Sequence, residues 1–492
     1  MKLAVVGGGS TYTPELADGI ARLAPGVEEI VLVDPDTRRL GLVGGVSSRI
    51  LAAYGHRAKV RGTIDLGDGL AGADMVIIQL RIGGQAARQR DETWPLEYGF
   101  LGQETTGAGG LAKALRTVPV VLEIAERARQ CAPSAWIIDF TNPVGIVTRA
   151  LLDAGHRAVG LCNVAIGFQR RFAALLGVAP ERVTLDHVGL NHLTWERAVM
   201  VDRSPAGAGA DGPGGAGVDG PGGADGAGVG GAGAGGPGPG GAGDPAGAAG
   251  ADRLPYLLER HAEEIAAEIE LPAGLVRGLG AVPSYYLRYY YAHDLVVAGQ
   301  RGAVTRAEQV ARVERELLAM YADPSLDHKP ALLRERGGAY YSEAAVALIA
   351  SLAAGSGDVQ VVNVRNDGTL PFLADDSVIE APARIGRAGP VPLPAAPVDP
   401  LLAGLIAHVS AYEELALAAA IHGGRDRVFA ALLAHPLIGQ ADAAGRLADR
   451  LIAENRGHLP WAARAGGPGP SRARGSSPEG TVPPGMAQAG AG

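Results

Sequence analysis

The chain has 492 residues, 47% of them hydrophobic and 20% charged, with 44 basic against 52 acidic side chains and a formal net charge of −8. That length holds two domains with sizeable cores, and the composition is that of a globular protein. The acidic balance excludes the basic face of a nucleic-acid binder, and two cysteines exclude a disulfide scaffold. No run approaches the ~18 apolar residues of a membrane span, so no membrane partner is expected. The apolar run before the first glycines, Leu3–Val6, is only four residues long, too short for an export signal. A cytoplasmic protein with free thiols is therefore expected.

Residues 3–6 (Leu-Ala-Val-Val) read as a short strand that breaks into Gly7-Gly-Gly-Ser-Thr-Tyr-Thr-Pro14. The spacing of Leu16, Ile20 and Leu23 then predicts a helix over 15–23. Further apolar runs over 29–33, 74–79 and 135–140 lead into Asp34, Arg81-Ile-Gly-Gly84 and Thr141-Asn-Pro143. Apolar strands alternating with helices predict a parallel sheet covered on both faces. The fold class is thus α/β, a doubly wound, Rossmann-type domain over residues 1–195. Residues 204–252 are almost entirely Gly, Ala, Pro and Asp. They have no apolar surface to offset the entropy of ordering, and read as a disordered insertion; 466–492 read as a disordered tail. The rest of 196–465 reads as a mainly helical α+β domain for substrate and catalysis. Its predicted helices span 254–271, 306–321, 342–353, 401–420 and 425–433, and its strands 359–364 and 377–382.

A strand feeding a glycine turn and a helix presents backbone N–H groups suited to a pyrophosphate. Gly7, Gly8, Gly9 and Ser10 are therefore candidate dinucleotide contacts. Asp34, 27 residues after Gly7, stands where an acid accepts from an adenosine ribose, and it disfavours the 2′-phosphate of NADP. Tyr12 replaces the last glycine of that fingerprint. Cys162, in Gly160-Leu-Cys-Asn163, and His192, in Gly189-Leu-Asn-His192, each follow an apolar run. At the carboxyl ends of parallel strands such residues converge on the ligand crevice. A thiolate and an imidazole can hold one divalent transition metal, with substrate or water completing the shell. Cys131 reads as a helix-end residue without a special role. Glu104, in a polar glycine-rich loop, could be a base, an orienting acid or a turn residue. Pro283–Tyr291 holds five of the 13 tyrosines, most of them packing residues. One could act as a phenolate base if a cation lowers its pKa.

In order and spacing these motifs resemble glycoside hydrolase family 4, and within it the 6-phospho-β-glucosidase group. The resemblance also rests on Val33-Asp-Pro-Asp36, Arg88 through Asp91-Glu92, Gly102-Gln-Glu-Thr, Tyr286-Leu-Arg-Tyr-Tyr, Arg336-Gly-Gly-Ala-Tyr-Tyr-Ser and His435-Pro-Leu. It covers nearly the whole chain outside 204–252 and the tail. It implies a fold like that of lactate and malate dehydrogenases, with NAD and manganese (or another divalent metal) as cofactors. It further implies a small phosphorylated sugar as substrate, and a homodimer or homotetramer.

Carried over by motif, Cys162 and His192 resemble the metal ligands, and Tyr286 the base that takes the C2 proton. Glu104 is similar to the residue assisting it. Arg88, Asn142 and Arg306 match substrate-binding positions, the arginines being suited to a phosphate. Asn163 stands where α-glucosidase members carry a proton-donating Asp, which implies a β-linked substrate. Ala165 stands where the family usually has Pro. The implied reaction departs from two-carboxylate hydrolysis. The sugar is oxidised at C3, loses its C2 proton, expels the aglycone, adds water and is reduced again. Two other readings are a 2-hydroxy-acid dehydrogenase-like oxidoreductase that releases NADH and a sensor that binds without turnover. They give Cys162, His192 and Tyr286 no purpose. A family 4 glycosidase acting on another sugar is the remaining alternative.

Overall fold

The computed structural model describes residues 1–24, 26–202, 250–338 and 340–464. The expected disordered tail, and the expected insertion apart from residues 250–252, lie outside the described residues.

Six strands, β1 (Lys2–Val6), β2 (Glu29–Val33), β3 (Lys59–Thr63), β4 (Met75–Ile78), β5 (Trp136–Asp139) and β6 (Ala158–Gly160), run parallel in the order 3-2-1-4-5-6. That is the doubly wound order, which leaves a ligand crevice where it reverses between β1 and β4. Val5, Val31 and Ile77 are wholly buried, because helices cover both faces. The helix Thr37–Ala53 begins where the Asp36 carboxylate accepts the Arg39 N–H at 3.0 Å, an N-cap.

Two longer strands, β7 (Val183–Leu190) and β8 (Leu193–Val201), form an antiparallel hairpin joined by the short β9 (Val282–Pro283). The main sheet does not stop at β6. Strand β10 (Val359–Arg365) pairs antiparallel with it, Asn363 opposite Gly160, and β11 (Val378–Gly386) and β12 (Gly389–Pro392) complete nine strands. One apolar core therefore runs from Val5 and Ile77 through Ile379 to Leu417 and Leu447. A smaller core lies beside the hairpin, around Phe172, Leu257 and Val276. Residues on either side of 195 share the main sheet and the main core.

The helices predicted in the second half fall close to their spans, with one difference, and the structure adds others that the sequence reading did not name, among them Ala273–Leu279, His293–Gln300 and Ala441–Asn455. The stretch 254–271 is two helices, Leu254–Arg260 and Ala262–Glu268, broken at His261 (φ −124°, ψ 10°). Arg306–Tyr321 is fixed by a capping box, in which Thr305 and Glu308 each satisfy the other's N–H. Pro400–His422 is long and apolar enough, by length and composition, to cross a membrane, which the sequence reading did not anticipate. Here it packs Leu402, Ile406, Val409 and Ala416 into the main core beside the helix Gly107–Cys131.

Candidate active site

A single cleft of about 640 Å³ is lined by residues that follow β1, β2, β4 and β5, together with loops from the second half. At one end lies the glycine turn. Gly7 adopts φ 85°, and a Cβ there would lie 2.4 Å from the Gln79 carbonyl oxygen. A Cβ on Gly8 would lie 2.7 Å from the Leu32 backbone, so only glycine lets the turn rest against its neighbouring strands. Asp34 holds the turn from the next strand: Oδ2 accepts the Gly9 N–H at 3.1 Å and Oδ1 the Asp36 N–H at 3.0 Å. Its carboxylate and Ser10 both line the cleft. Tyr12 donates its hydroxyl to the Gly338 carbonyl and meets the Tyr341 ring edge-on at 6.3 Å. The residue that departs from the glycine fingerprint thus ties the turn to the second half of the chain.

At the other end stand His192 and Tyr286. His192 occupies the tight turn between β7 and β8 at φ 63°, a left-handed conformation unusual for a side chain with a Cβ. Its Nδ1 lies 3.1 Å from Thr105 Oγ1, which fixes the ring. The Tyr286 ring stacks on it with centroids 3.7 Å apart and planes 12° from parallel. Cys162 follows β6 and is buried just behind Asn163, which lines the cleft. Burial, then the nearby Glu380 carboxylate, push its thiol well above the ordinary range. The N–H groups of Val164 and Asn163 and the Asn191 amide oppose this by bonding to the sulfur. A divalent cation would take the thiolate outright. Among the described residues no cluster of three or more His, Cys, Asp or Glu could hold a metal. A metal held by Cys162 and His192 alone would leave most of its shell to substrate or water. Asn142 Oδ1 is buried in the cleft wall without a partner among the described residues, an acceptor left for a ligand.

Between the two ends lies a group of cations around one acid. Glu104 accepts Arg81, Lys113 at 2.6 Å and Arg88 at 3.2 Å. Burial pushes its carboxyl upward, but the three cations outweigh burial and hold it well below the usual range. Burial lowers the Lys113 amine to about 8 against the pull of Glu104. Arg88 also reaches Glu92 at 2.5 Å. Arg336, lowered by burial to about 10, pairs with Glu314 at 3.1 Å. Arg81, Arg88, Lys113 and Arg336 all line the cleft. Sequence reasoning gave no role to Arg81, Lys113 or Arg336; the signals were Arg81, just beyond β4 as Asp34 is beyond β2, and Arg336, which opens one of the motifs that carry the family resemblance. Arg306 is not among the lining residues. Its guanidinium instead donates to Gln309 and, at 2.7 Å, to the Glu335 carbonyl next to Arg336.

Residues 2–178 match the model of the family 4 glycosyl hydrolases, and residues 245–438 that of the family's C-terminal domain. The chain belongs to glycosyl hydrolase family 4. A Bacillus subtilis relative named "Probable 6-phospho-beta-glucosidase" is 34% identical over 472 residues, covering 94% of this chain and 97% of that one. The Escherichia coli 6-phospho-beta-glucosidase is 31% identical, covering 94% and 96%. The Thermotoga maritima 6-phospho-beta glucosidase, solved with manganese, NAD+ and glucose-6-phosphate, superposes with a TM-score of 0.79 at 29% identity. That match covers 93% of this chain and 99% of the other.

Proposed function

We propose that this family 4 enzyme hydrolyses 6-phospho-β-glucosides through oxidation at C3, C2 deprotonation, elimination of the aglycone, water addition and re-reduction. The observation that carries the reading is one continuous cleft running from the Gly7–Asp34 turn to Tyr286 and His192, with the cations between. When bound, NAD supplies the hydride exchange and manganese the Lewis-acid polarisation of the sugar oxygens.

Cys162 and His192 would hold the metal. The Tyr286 oxygen takes the C2 proton, and a cation on the stacked His192 ring favours its phenolate. Glu104, held ionised by three cations, has little affinity for a proton; its part is to orient Arg81, Arg88 and Lys113. The forks of Arg81, Arg88 and Arg336 suit the oxygens of the 6-phosphate. Arg306 steadies the backbone beside Arg336. Asn142 offers its unpartnered oxygen to a ligand hydroxyl or amide. Asn163 has no acidic proton for a leaving group, in keeping with a β-linked substrate whose aglycone is protonated by water. The reading includes a homodimer or homotetramer in the cytoplasm, where the free Cys131 and Cys162 thiols survive.

The test is hydrolysis of a chromogenic 6-phospho-β-glucoside by metal-stripped, NAD-free protein, with NAD and Mn²⁺ added singly and together. Activity is expected only with both. Activity with neither overturns the mechanism, and stoichiometric NADH release would make the chain a dehydrogenase.

A further inference from the structure

Behind Cys162 lies a buried polar group that the reaction above does not use. Strands β11, β10 and β6 place Glu380, Asn363 and Gly160 side by side in register. Asn363 Nδ2 donates to Glu380 Oε2 at 3.1 Å, and Asn191 Nδ2 donates to the same oxygen at 2.9 Å. His187 Nε2 meets Glu380 Oε1 at 3.2 Å, and its Nδ1 meets Glu196 Oε1 at 2.7 Å. His187, Glu196, Asn363 and Glu380 are all 2% exposed or less.

A carboxylate this deep is costly, and packing alone would be served as well by an apolar residue. What Glu380 touches gives it a purpose. Asn191 immediately precedes His192, and its amide also bonds to the Cys162 sulfur. Asn363 lies against Gly160, two residues before Cys162, where a Cβ would fall 2.2 Å from Thr148 Oγ1 and 2.9 Å from Asn363 Cβ. Glu380 thus joins the strand pair that delivers Cys162 to the turn that delivers His192. With a carboxylate oxygen at each ring nitrogen, His187 is a double donor and cationic. Burial raises the Glu196 carboxyl, whereas burial of Glu380 is outweighed by its bonds to His187 and Asn191, which keep it ionised, and it is the Glu380 charge that is felt at the Cys162 thiol.

We propose that Glu380 is a positioning residue for the metal, locking the Cys162 and His192 segments together and favouring a divalent cation by its charge. The inference rests on Cys162 and His192 as metal ligands. It is tested by Mn²⁺ titration of metal-free, NAD-loaded protein, with free Mn²⁺ read by electron paramagnetic resonance, for wild type, Cys162→Ser and Glu380→Gln. NAD affinity, read by fluorescence, reports the fold. Cys162→Ser should abolish tight binding. Glu380→Gln should raise the Mn²⁺ Kd ~10–100-fold, the usual cost of losing a partner behind a metal ligand, at unchanged NAD affinity. An unchanged Mn²⁺ Kd in Glu380→Gln overturns the inference and leaves the metal reading standing. An unchanged Kd in Cys162→Ser overturns both. If Glu380→Gln loses NAD binding, Asn363→Ala, which cuts one of the three bonds, decides: a raised Mn²⁺ Kd supports the inference and an unchanged one overturns it.

Discussion

Replacing Glu104 with Gln keeps the shape of the side chain and removes the charge that three cations share. Lys113 is 3% exposed and Arg88 2%, so water does little to replace it. Arg88 keeps Glu92, whereas Lys113 has no second carboxylate within ion-pair distance among the described residues. Removing one member of a buried pair costs about 3–5 kcal/mol. The sign of the pH dependence follows from Lys113. Burial already lowers its amine to about 8 with Glu104 in place, and without Glu104 it falls further. Between that lower value and pH 8, the native wild type carries one more proton than the native variant. The wild-type advantage therefore shrinks by about 1.4 kcal/mol per pH unit as pH rises to 8, and is constant above it. Urea denaturation followed by tryptophan fluorescence at pH 7 and pH 8.5 reads both quantities. The expected deficit is about 3–5 kcal/mol at pH 7, narrowing by about 1.4 kcal/mol at pH 8.5. A deficit below about 1 kcal/mol, within the range of an exposed pair, or one that does not narrow, refutes the assignment of Glu104 as the charge that holds Lys113.

Two further outcomes bear on the reaction and on the group behind the thiol. Tyr286→Phe should fold and bind NAD as the wild type does while kcat falls ~10²–10⁴-fold; wild-type turnover would remove Tyr286 from the base role. For His187, burial lowers the imidazole but Glu196 and Glu380 outweigh it and raise it to about 10. Its contribution to stability is complete below its unfolded value of about 6.5 and is lost as pH rises through the folded one. The stability deficit of His187→Gln should therefore shrink by about 1.4 kcal/mol per pH unit across that window, and a deficit independent of pH would show that His187 is not held as a cation.

What the sequence made legible is what local pattern determines. The strands at 2–6, 29–33, 75–78 and 136–139 stand out because parallel strands buried on both faces are unbroken apolar runs. Asp34 and the glycine turn are readable because each sits where such a run stops. The break at His261 was hidden, since Leu254, Leu257, Ile265 and Ile269 keep helical spacing across it. The attachment of β10 to β6 depends on residues about two hundred positions apart in sequence, and no local pattern announces it. The same limit applies in the cleft. Lys113 lies in an Ala- and Leu-rich helical turn, where nothing nearby in sequence shows that its amine reaches Glu104. Arg306 looks from its motif like a residue for phosphate, yet its position at the first turn of a capped helix directs it to the Glu335 carbonyl.

The continuation of the sheet from β6 into β10 bears on how the enzyme moves. Many two-part enzymes clamp on a ligand by swinging one lobe about a hinge. Here the lobes are stitched by backbone hydrogen bonds at Asn363 and Gly160, and a swing about residue 195 would tear the sheet. The segment from Arg336 to Gly338 that lines the cleft is likewise anchored, by Glu314 on Arg336 and by the Tyr12 hydroxyl on the Gly338 carbonyl. A catalyst that must discharge its coenzyme every cycle would be slowed by such stiffness. One that takes back its own hydride exchanges only substrate, water and products, and for it an unyielding frame would hold the coenzyme and sugar ends of the cleft at a fixed spacing from one turnover to the next.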